Sequence, residues 1–401
     1  MKKIMTFALC VCAVGSMSAQ KQAVEEANKL AGKLDKIEDA RNLIKQAMQN
    51  PETKDNVHTY NVAGKIEYKA FEEAAKKRAV NPEDPAADVV AMGRELINGY
   101  NFYNKALPLD SIPNEKGQVK PKYSKEMVAQ INGHHADYYN YAGELYNAKQ
   151  YFPDAYNAFM IYGDLPSMPY ATKEIKATPD TIRALAYYYA GIAAYSGADL
   201  QKALEAFHKA RRAGISDPQS YVYEIACWQN MASKDSTLTD KAQANIYDVA
   251  LEGFNRFGIA NPLFLNNLVN SLTIQEKFDD AIALINKQLS VKEEPFLLSL
   301  RGFVNDRKGD NEASEADYRK AAGFENADIE TLKNAAKKLY TIGSAKWNEI
   351  EGPNKEARDN IKQNYWQEAK NIAERAKALD PSDSQIDYVL ENINYALETY
   401  F

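Results

Sequence analysis

The chain has 401 residues, a formal net charge of −6, four histidines and three cysteines. A net acidic protein without basic tracts is a poor match for nucleic acid or anionic lipid, so neither is expected as a partner. At this length two or three globular domains are the ordinary expectation, unless the chain is built of repeats that each pack only on their neighbours.

The start, Met1-Lys2-Lys3, then the apolar run from Ile4 to Val14, then the small-residue stretch Gly15-Ser16-Met17-Ser18-Ala19, has the three regions of a secretory signal peptide. Residues 1–19 are expected to leave by cleavage after Ala19, so the protein is expected to be exported, periplasmic or secreted. The formal charge of −6 then becomes −8, because Lys2 and Lys3 leave too. A lipid anchor on Cys10 or Cys12 is the rival, disfavoured because Leu9 and Val11 stand where a small residue is wanted. No later segment approaches the roughly 20 apolar residues of a membrane helix, so no integral membrane segment is expected. Cys227 is the only cysteine beyond the leader, which rules out an intramolecular disulfide in the processed chain. Beside Trp228 it reads as a small apolar packing residue.

Beyond the leader, apolar residues recur at three- and four-residue spacing, which predicts an all-α protein. In residues 20–107, Leu30–Met48 carries Ala40, Ile44 and Ala47 on one face. Tyr60, Ala63 and Gly64 then suggest a first helix, and Gly99, Tyr103 and Ala106 its partner. Residues 108–124, with Pro113, Gly117 and Pro121, form a Pro/Gly linker loop. Such loops are often functional, but a surface connector is the plainer reading.

From 125 to 382 a helical-hairpin phrase repeats. Tyr139, Gly143, Tyr146, Ala155 and Phe159 are matched by Tyr187, Gly191, Ala194, Ala203 and Phe207, and Gly143 and Gly191 stand 48 residues apart. Glycine inside a helix costs about 1 kcal/mol relative to alanine, so its recurrence needs a reason. Close helix crossing supplies one: Gly143 with Ala155, and Gly191 with Ala203, are expected where two axes approach. Phe159, Phe207, Phe254 and Tyr318 share one face of successive second helices and are expected in the core.

A degraded copy follows, with a first helix around Tyr221–Met231 and a polar insertion at 233–237 that is expected to be exposed. Later hairpins carry Leu265, Leu268, Ala281 and Ile285, then Gly302 and Tyr318, then a long helix near Asp328–Trp347 with a partner bearing Ala369, Ala373 and Ala376. Residues 383–401 read as a C-terminal capping helix, which a stack of hairpins needs to cover its last apolar face.

This phrase resembles the tetratricopeptide repeat. The resemblance implies a right-handed superhelical solenoid of antiparallel helix pairs whose first helices line a concave groove. It also places groove residues three before, and one and four after, each small residue. On this chain those positions are Asn61, Lys65 and Tyr68, then Asn140, Glu144 and Asn147, then Tyr188, Ile192 and Tyr195. Later hairpins add Tyr223, then Asn266 and Asn270, then Ser299, Phe303 and Asp306. Members that clamp a chaperone's C-terminal carboxylate cluster Lys and Asn there. Here only Asn61 with Lys65 is similar and the next hairpin offers Glu144, so that clamp is not expected.

No recognisable catalytic motif accompanies the repeats. Gly253 and Gly258 are spaced as in a nucleotide loop, but Ile259 stands where a lysine is required. His134 and His135 point about 100° apart on a helix and are not expected to share a metal. No cofactor or catalytic residue is assigned. Asp279-Asp280 and Glu293-Glu294 read as solvated turn residues. The 26 tyrosines supply apolar area with a hydrogen-bonding tip, as binding surfaces do, although many must be core. The expectation is a non-enzymatic scaffold of the cell envelope that binds a peptide or protein in its groove. The alternative is a glycan-binding repeat protein using groove aromatics.

Overall fold

The structure, a computed structural model, describes residues 21–84 and 88–399. The expected signal peptide, residues 1–19, lies outside them. All regular structure in the described residues is helical. The chain divides at Ala242 into two compact units.

In the first unit, α1 covers residues 21–30. It is followed by α2 (Ile37–Gln49), α3 (Val57–Val80), α4 (Val89–Asp110), α5 (Ser124–Gly133), α6 (His135–Asn147) and α7 (Phe152–Asp164). Then come the single turn α8 (Lys173–Lys176), α9 (Asp180–Ser196), α10 (Leu200–Arg212) and α11 (Gln219–Lys234). The division falls within α12 (Thr239–Phe257). The second unit continues with α13 (Pro262–Ile274), α14 (Phe278–Leu289), α15 (Pro295–Lys308), α16 (Asn311–Ala322) and α17 (Ile329–Asn348). It closes with α18 (Lys355–Ile361), α19 (Glu368–Leu379) and α20 (Ser384–Thr399).

Within each unit, paired helices pack on one another, α6 on α7, α9 on α10 and α15 on α16, and second helices meet the next first helix, α7 on α9, α10 on α11, α14 on α15 and α16 on α17. Short connections force that antiparallel neighbouring. Three of those connections contain a non-glycine residue in the left-handed region: Lys149 (φ 57°), Ala198 (φ 60°) and Glu276 (φ 58°). At the α15 to α16 turn the same role falls to Gly309 (φ 88°). Asp199 and Asp310 then cap α10 and α16, accepting from the N–H of Lys202 and Ala313.

Buried small residues and one large ring recur at the helix crossings. A methyl group added at Gly191 would lie 2.5 Å from the Phe207 ring, and one at Gly99 would lie 2.9 Å from the Tyr68 ring. Phe159, Phe207 and Tyr318 are core, as their shared face predicts. Phe254 is only half-buried against the core of the second unit, a correction: its helix turns that position to the edge of the cluster. Gly143 is a second correction. A methyl group there would meet nothing within 4 Å, so it does not mark a close crossing.

Other expectations shift at their edges. Leu30–Met48 is not one helix, because the chain turns at residues 31–33 before α2 begins. The helix-poor stretch in the first unit begins after Asp110, since α4 carries Pro108 inside it. Asp110 then accepts from the N–H groups of Lys122, Tyr123 and Ser124, at 3.0, 2.8 and 2.7 Å, which brings the chain back to start α5. Residues 233–237 are exposed, as their polarity implies. Cys227 is fully buried, and burial pushes its thiol up to about 12. The helix carrying Ala369, Ala373 and Ala376 is preceded by a π-helical segment, Lys362–Gln367, which places Trp366 in the core beside Gly343. In α20, Ile386, Val389, Ile393 and Ala396 face that same core.

Candidate binding clefts

In the first unit, the space above Gly143 is a cleft of about 370 Å³. Its walls are the rings of Tyr139, Tyr146, Phe159 and Tyr189, with Ile192 beside them and Asn140 and Asn147 at the edge. The packing explains the opening. Phe207 lies over Gly191, but Phe159 is held edge-on to Tyr139, with ring centroids 5.4 Å apart and planes at 77°, and stands 5.8 Å from Tyr189. The rings are tied to each other rather than to Gly143, so the glycine floor stays uncovered.

No charged side chain lines this cleft. Among the described residues, the hydroxyls of Tyr139, Tyr146 and Tyr189 and the carboxamides of Asn140 and Asn147 have no hydrogen-bond partner in the protein. Burial, with Tyr189 and Tyr162 nearby, holds the Tyr139 hydroxyl above its ordinary pKa, so it stays a neutral donor. Beside the cleft, α9 carries an apolar stripe. Ile182, Leu185 and Tyr189 are exposed, and with Ile192 they fall at spacings of three, four and three, one face of the helix. At 1.5 Å per residue this stripe is about 15 Å long.

The other expected groove positions of the first unit have different surroundings. Asn61 and Tyr68 are buried, which corrects their assignment to an open groove. The Tyr68 hydroxyl is 2.6 Å from that of Tyr138, and its ring stacks on His134 at 5.2 Å. Burial, then the neighbouring Tyr138, raises its pKa well above the ordinary value. Lys65 donates to the Asn28 carboxamide at 3.0 Å. Glu144 is exposed on the helix that carries Asn140 and Asn147. Tyr188 lies 6.1 Å from Phe207, and burial raises its hydroxyl to about 12. Tyr223 stacks on Phe207 at 5.4 Å, and Tyr195 packs on Tyr223 at 5.4 Å. These three tyrosines are therefore half-buried packing between α9, α10 and α11 rather than part of the cleft.

His134 and His135 point to different partners. His134 Nδ1 is 2.9 Å from Asp137, while His135 stacks on Tyr162 at 4.3 Å. Burial lowers the pKa of His135, only partly offset by the Tyr162 carbonyl. Among the described residues, no three His, Cys, Asp or Glu side chains converge as a metal site would require.

The second unit has its own cleft, about 310 Å³. Phe296, Leu300, Phe303 and Tyr318 form its apolar walls, with Asn266 and Ser299 among them and Asp328 and Glu330 at the start of α17. Of the expected positions, Asn266, Ser299 and Phe303 thus come together, while Asn270 is exposed outside the cleft and Asp306 is paired with Lys338.

The expected positions that do line clefts are Asn140, Asn147, Ile192, Asn266, Ser299 and Phe303. Tyr139, Phe159, Tyr189, Phe296 and Tyr318 also line the clefts, though none is an expected groove position. The shared face of Phe159 and Tyr318 marks these two as core, and both are buried while still edging their clefts.

These units define an all-α class of stacked helical hairpins. Solved structures resemble the chain at low identity. The P58(IPK) TPR domain is 14% identical, with 94% of this chain and 99% of that one covered at a TM-score of 0.27. Yeast Tom70 is also 14% identical, with 95% and 89% covered at a TM-score of 0.30. No protein-family model matches the chain, and no curated protein matches it. The function of the clefts rests on the chain's own residues.

Proposed function

We propose that the protein is a non-enzymatic interaction scaffold of the cell envelope, and that the cleft above Gly143 holds a segment of a protein partner. The observation that carries this reading is the cleft's lining: four aromatic rings and an isoleucine around an open glycine floor, edged by two asparagines. Rings and floor suit one apolar side chain. Asparagine carboxamides both donate and accept, as the main chain of an extended segment requires. The exposed stripe from Ile182 to Ile192 gives the same segment a further apolar path. The lining offers no carboxylate, imidazole or thiol to move a proton or attack a carbonyl, which is why a binding role is preferred to catalysis.

Envelope location rests on the leader pattern of residues 1–19. Cell fractionation followed by N-terminal sequencing tests it, and a cytoplasmic protein that retains Met1 would refute it. For the cleft, affinity capture from the native envelope should return a partner that Tyr139→Ala with Tyr189→Ala loses. Capture unaffected by that pair would refute the site. A glycan is the second reading, favoured by the Tyr189 ring, 40% exposed and so open to stacking by a sugar. Binding on a glycan array that the same two substitutions abolish would select it.

A further inference from the structure

The cleft of the second unit has different chemistry from the one above Gly143. Phe296, Leu300 and Phe303 give it apolar walls, but its mouth carries the carboxylates of Asp328 and Glu330, and no lysine or arginine lines it. The plain account of these acids is that they serve the first turn of α17. Asp328 Oδ1 does accept from the N–H of Thr331 at 2.7 Å, and Glu330 lies 2.6 Å from the Lys333 ammonium. That account covers Oδ1 of Asp328 but not its second oxygen. Lys333 is in turn shared with Asp383 at 3.0 Å, so this group of charges remains net negative.

Ser299 points independently to a ligand. It is only 6% exposed and lines the cleft, and among the described residues its hydroxyl has no hydrogen-bond partner. A hydroxyl inside a helix can bond the carbonyl four residues back, as Thr273 does to Val269 at 2.7 Å in the same unit. Ser299 makes no such bond, which leaves its oxygen free at the cleft surface to accept from a guest. Two neighbouring cations are already committed. Arg301 is held by Asp317 at 2.6 Å and Lys338 by Asp306, so neither neutralises the mouth. The Phe303 ring already attracts a guanidinium, that of Arg307, at 5.6 Å.

We propose that this cleft receives the basic side chain of a polypeptide partner, its aliphatic stem along Phe296 and Phe303 and its charged head between Ser299 Oγ and the Asp328 carboxylate. The match is one of charge and of donor number. An ammonium has three N–H groups and no acceptor, and Ser299, Asn266 and Asp328 supply acceptors around an apolar channel. The inference rests on the reading that the protein binds polypeptides, but it concerns a separate cleft and can fail alone.

The test uses the full chain and three blocked pentapeptides, acetyl-Gly-Gly-X-Gly-Gly-amide, with lysine, arginine or norleucine at X. Carbon-13 methyl resonances of Leu300 report occupancy. The lysine or arginine peptide should shift them with at least tenfold tighter binding than norleucine, and the preference should shrink as salt is raised. Asp328→Asn with Glu330→Gln should abolish the preference, and Ser299→Ala should weaken it several-fold. Asparagine still caps a helix, so the carboxylate variant should remain folded, which its thermal melt checks. Equal binding of norleucine, or a charge preference that survives Asp328→Asn with Glu330→Gln, would overturn the proposal. So would basic peptides that leave Leu300 unmoved. Should the basic peptides bind here while envelope capture finds no partner, the scaffold reading fails and this one stands.

Discussion

Gly191 is where it is because of Phe207: a methyl group on the one would lie 2.5 Å from the ring of the other. The matched glycine, Gly143, has no such neighbour and floors a cleft instead. One residue type thus serves two purposes at equivalent places in consecutive hairpins.

The contrast is measurable by substitution. Gly191→Ala should destabilise by about 1–2 kcal/mol, overpacking outweighing the gain in helix propensity. Gly143→Ala should stabilise by up to about 1 kcal/mol, because alanine is the better helix former and nothing obstructs it. Denaturant unfolding of the two variants would show opposite shifts in midpoint. Shifts of the same sign would mean the two glycines share one environment.

The left-handed turn residues hold strain that glycine would relieve. At Ala198 the backbone sits at φ 60°, where a side chain costs about 1–2 kcal/mol. Glycine loses more entropy on folding, so Ala198→Gly should gain about 0.5–1 kcal/mol net. Calorimetric melting should detect the rise, and a fall would disprove the strained turn.

The cleft tyrosines should separate binding from stability. Tyr189→Ala removes an exposed ring and should lower the melting temperature little while reducing partner capture. Tyr187→Phe should do the reverse. The Tyr187 hydroxyl is 2.7 Å from both the Gly163 carbonyl and the Asp164 carboxylate, and its loss should cost about 0.5–1.5 kcal/mol without touching capture.

A buried ion pair joins α10 to α11. Arg211 Nε lies 3.0 Å from Glu224, whose side chain is 5% exposed. Arg211→Met would leave that carboxylate only His208, 3.7 Å away, and should cost up to about 3–5 kcal/mol. Replacing both, Arg211→Met with Glu224→Leu, should recover most of the loss, since two apolar side chains leave no charge unpaired. Chemical denaturation of the single and double variants tests this, and a double variant no better than the single would refute it.

Asp110 sets an acid limit on the α4 to α5 connection. Burial raises its pKa, but the Ser124 hydroxyl and three backbone N–H groups outweigh burial and hold it below the ordinary value. A carboxyl lowered on folding contributes stability that is complete above its unfolded pKa, about 3.9, and is lost as pH falls through the folded value. Acid titration by circular dichroism should therefore show stability falling below about pH 4. Asp110→Asn should flatten that fall, and an unchanged acid slope would exclude Asp110 as a cause.

Much of the architecture was legible in the chain. Helical periodicity, the recurring Gly, Ala and Phe positions and the final amphipathic segment all follow from short-range spacing. They correspond to α6 with α7, α9 with α10, α15 with α16, and α20. The turns were less legible, because Lys149, Ala198 and Glu276 adopt a conformation their residue types do not advertise. Nor does any change of composition mark the division at Ala242, and the one expected linker, residues 108–124, lies inside the first unit.

The sequence by itself therefore determined an all-helical protein of paired helices and the surfaces those pairs bury, since both depend on residues within a turn or two of each other. Only the tertiary structure decided which buried-type positions are open. Whether a ring covers a glycine depends on neighbours from other helices. Phe207 is stacked by Tyr223 of α11 and lies over Gly191, while Phe159 is held by Tyr139 and Tyr189 and leaves Gly143 bare. The cleft is a consequence of that packing, which no spacing of residues along one helix records.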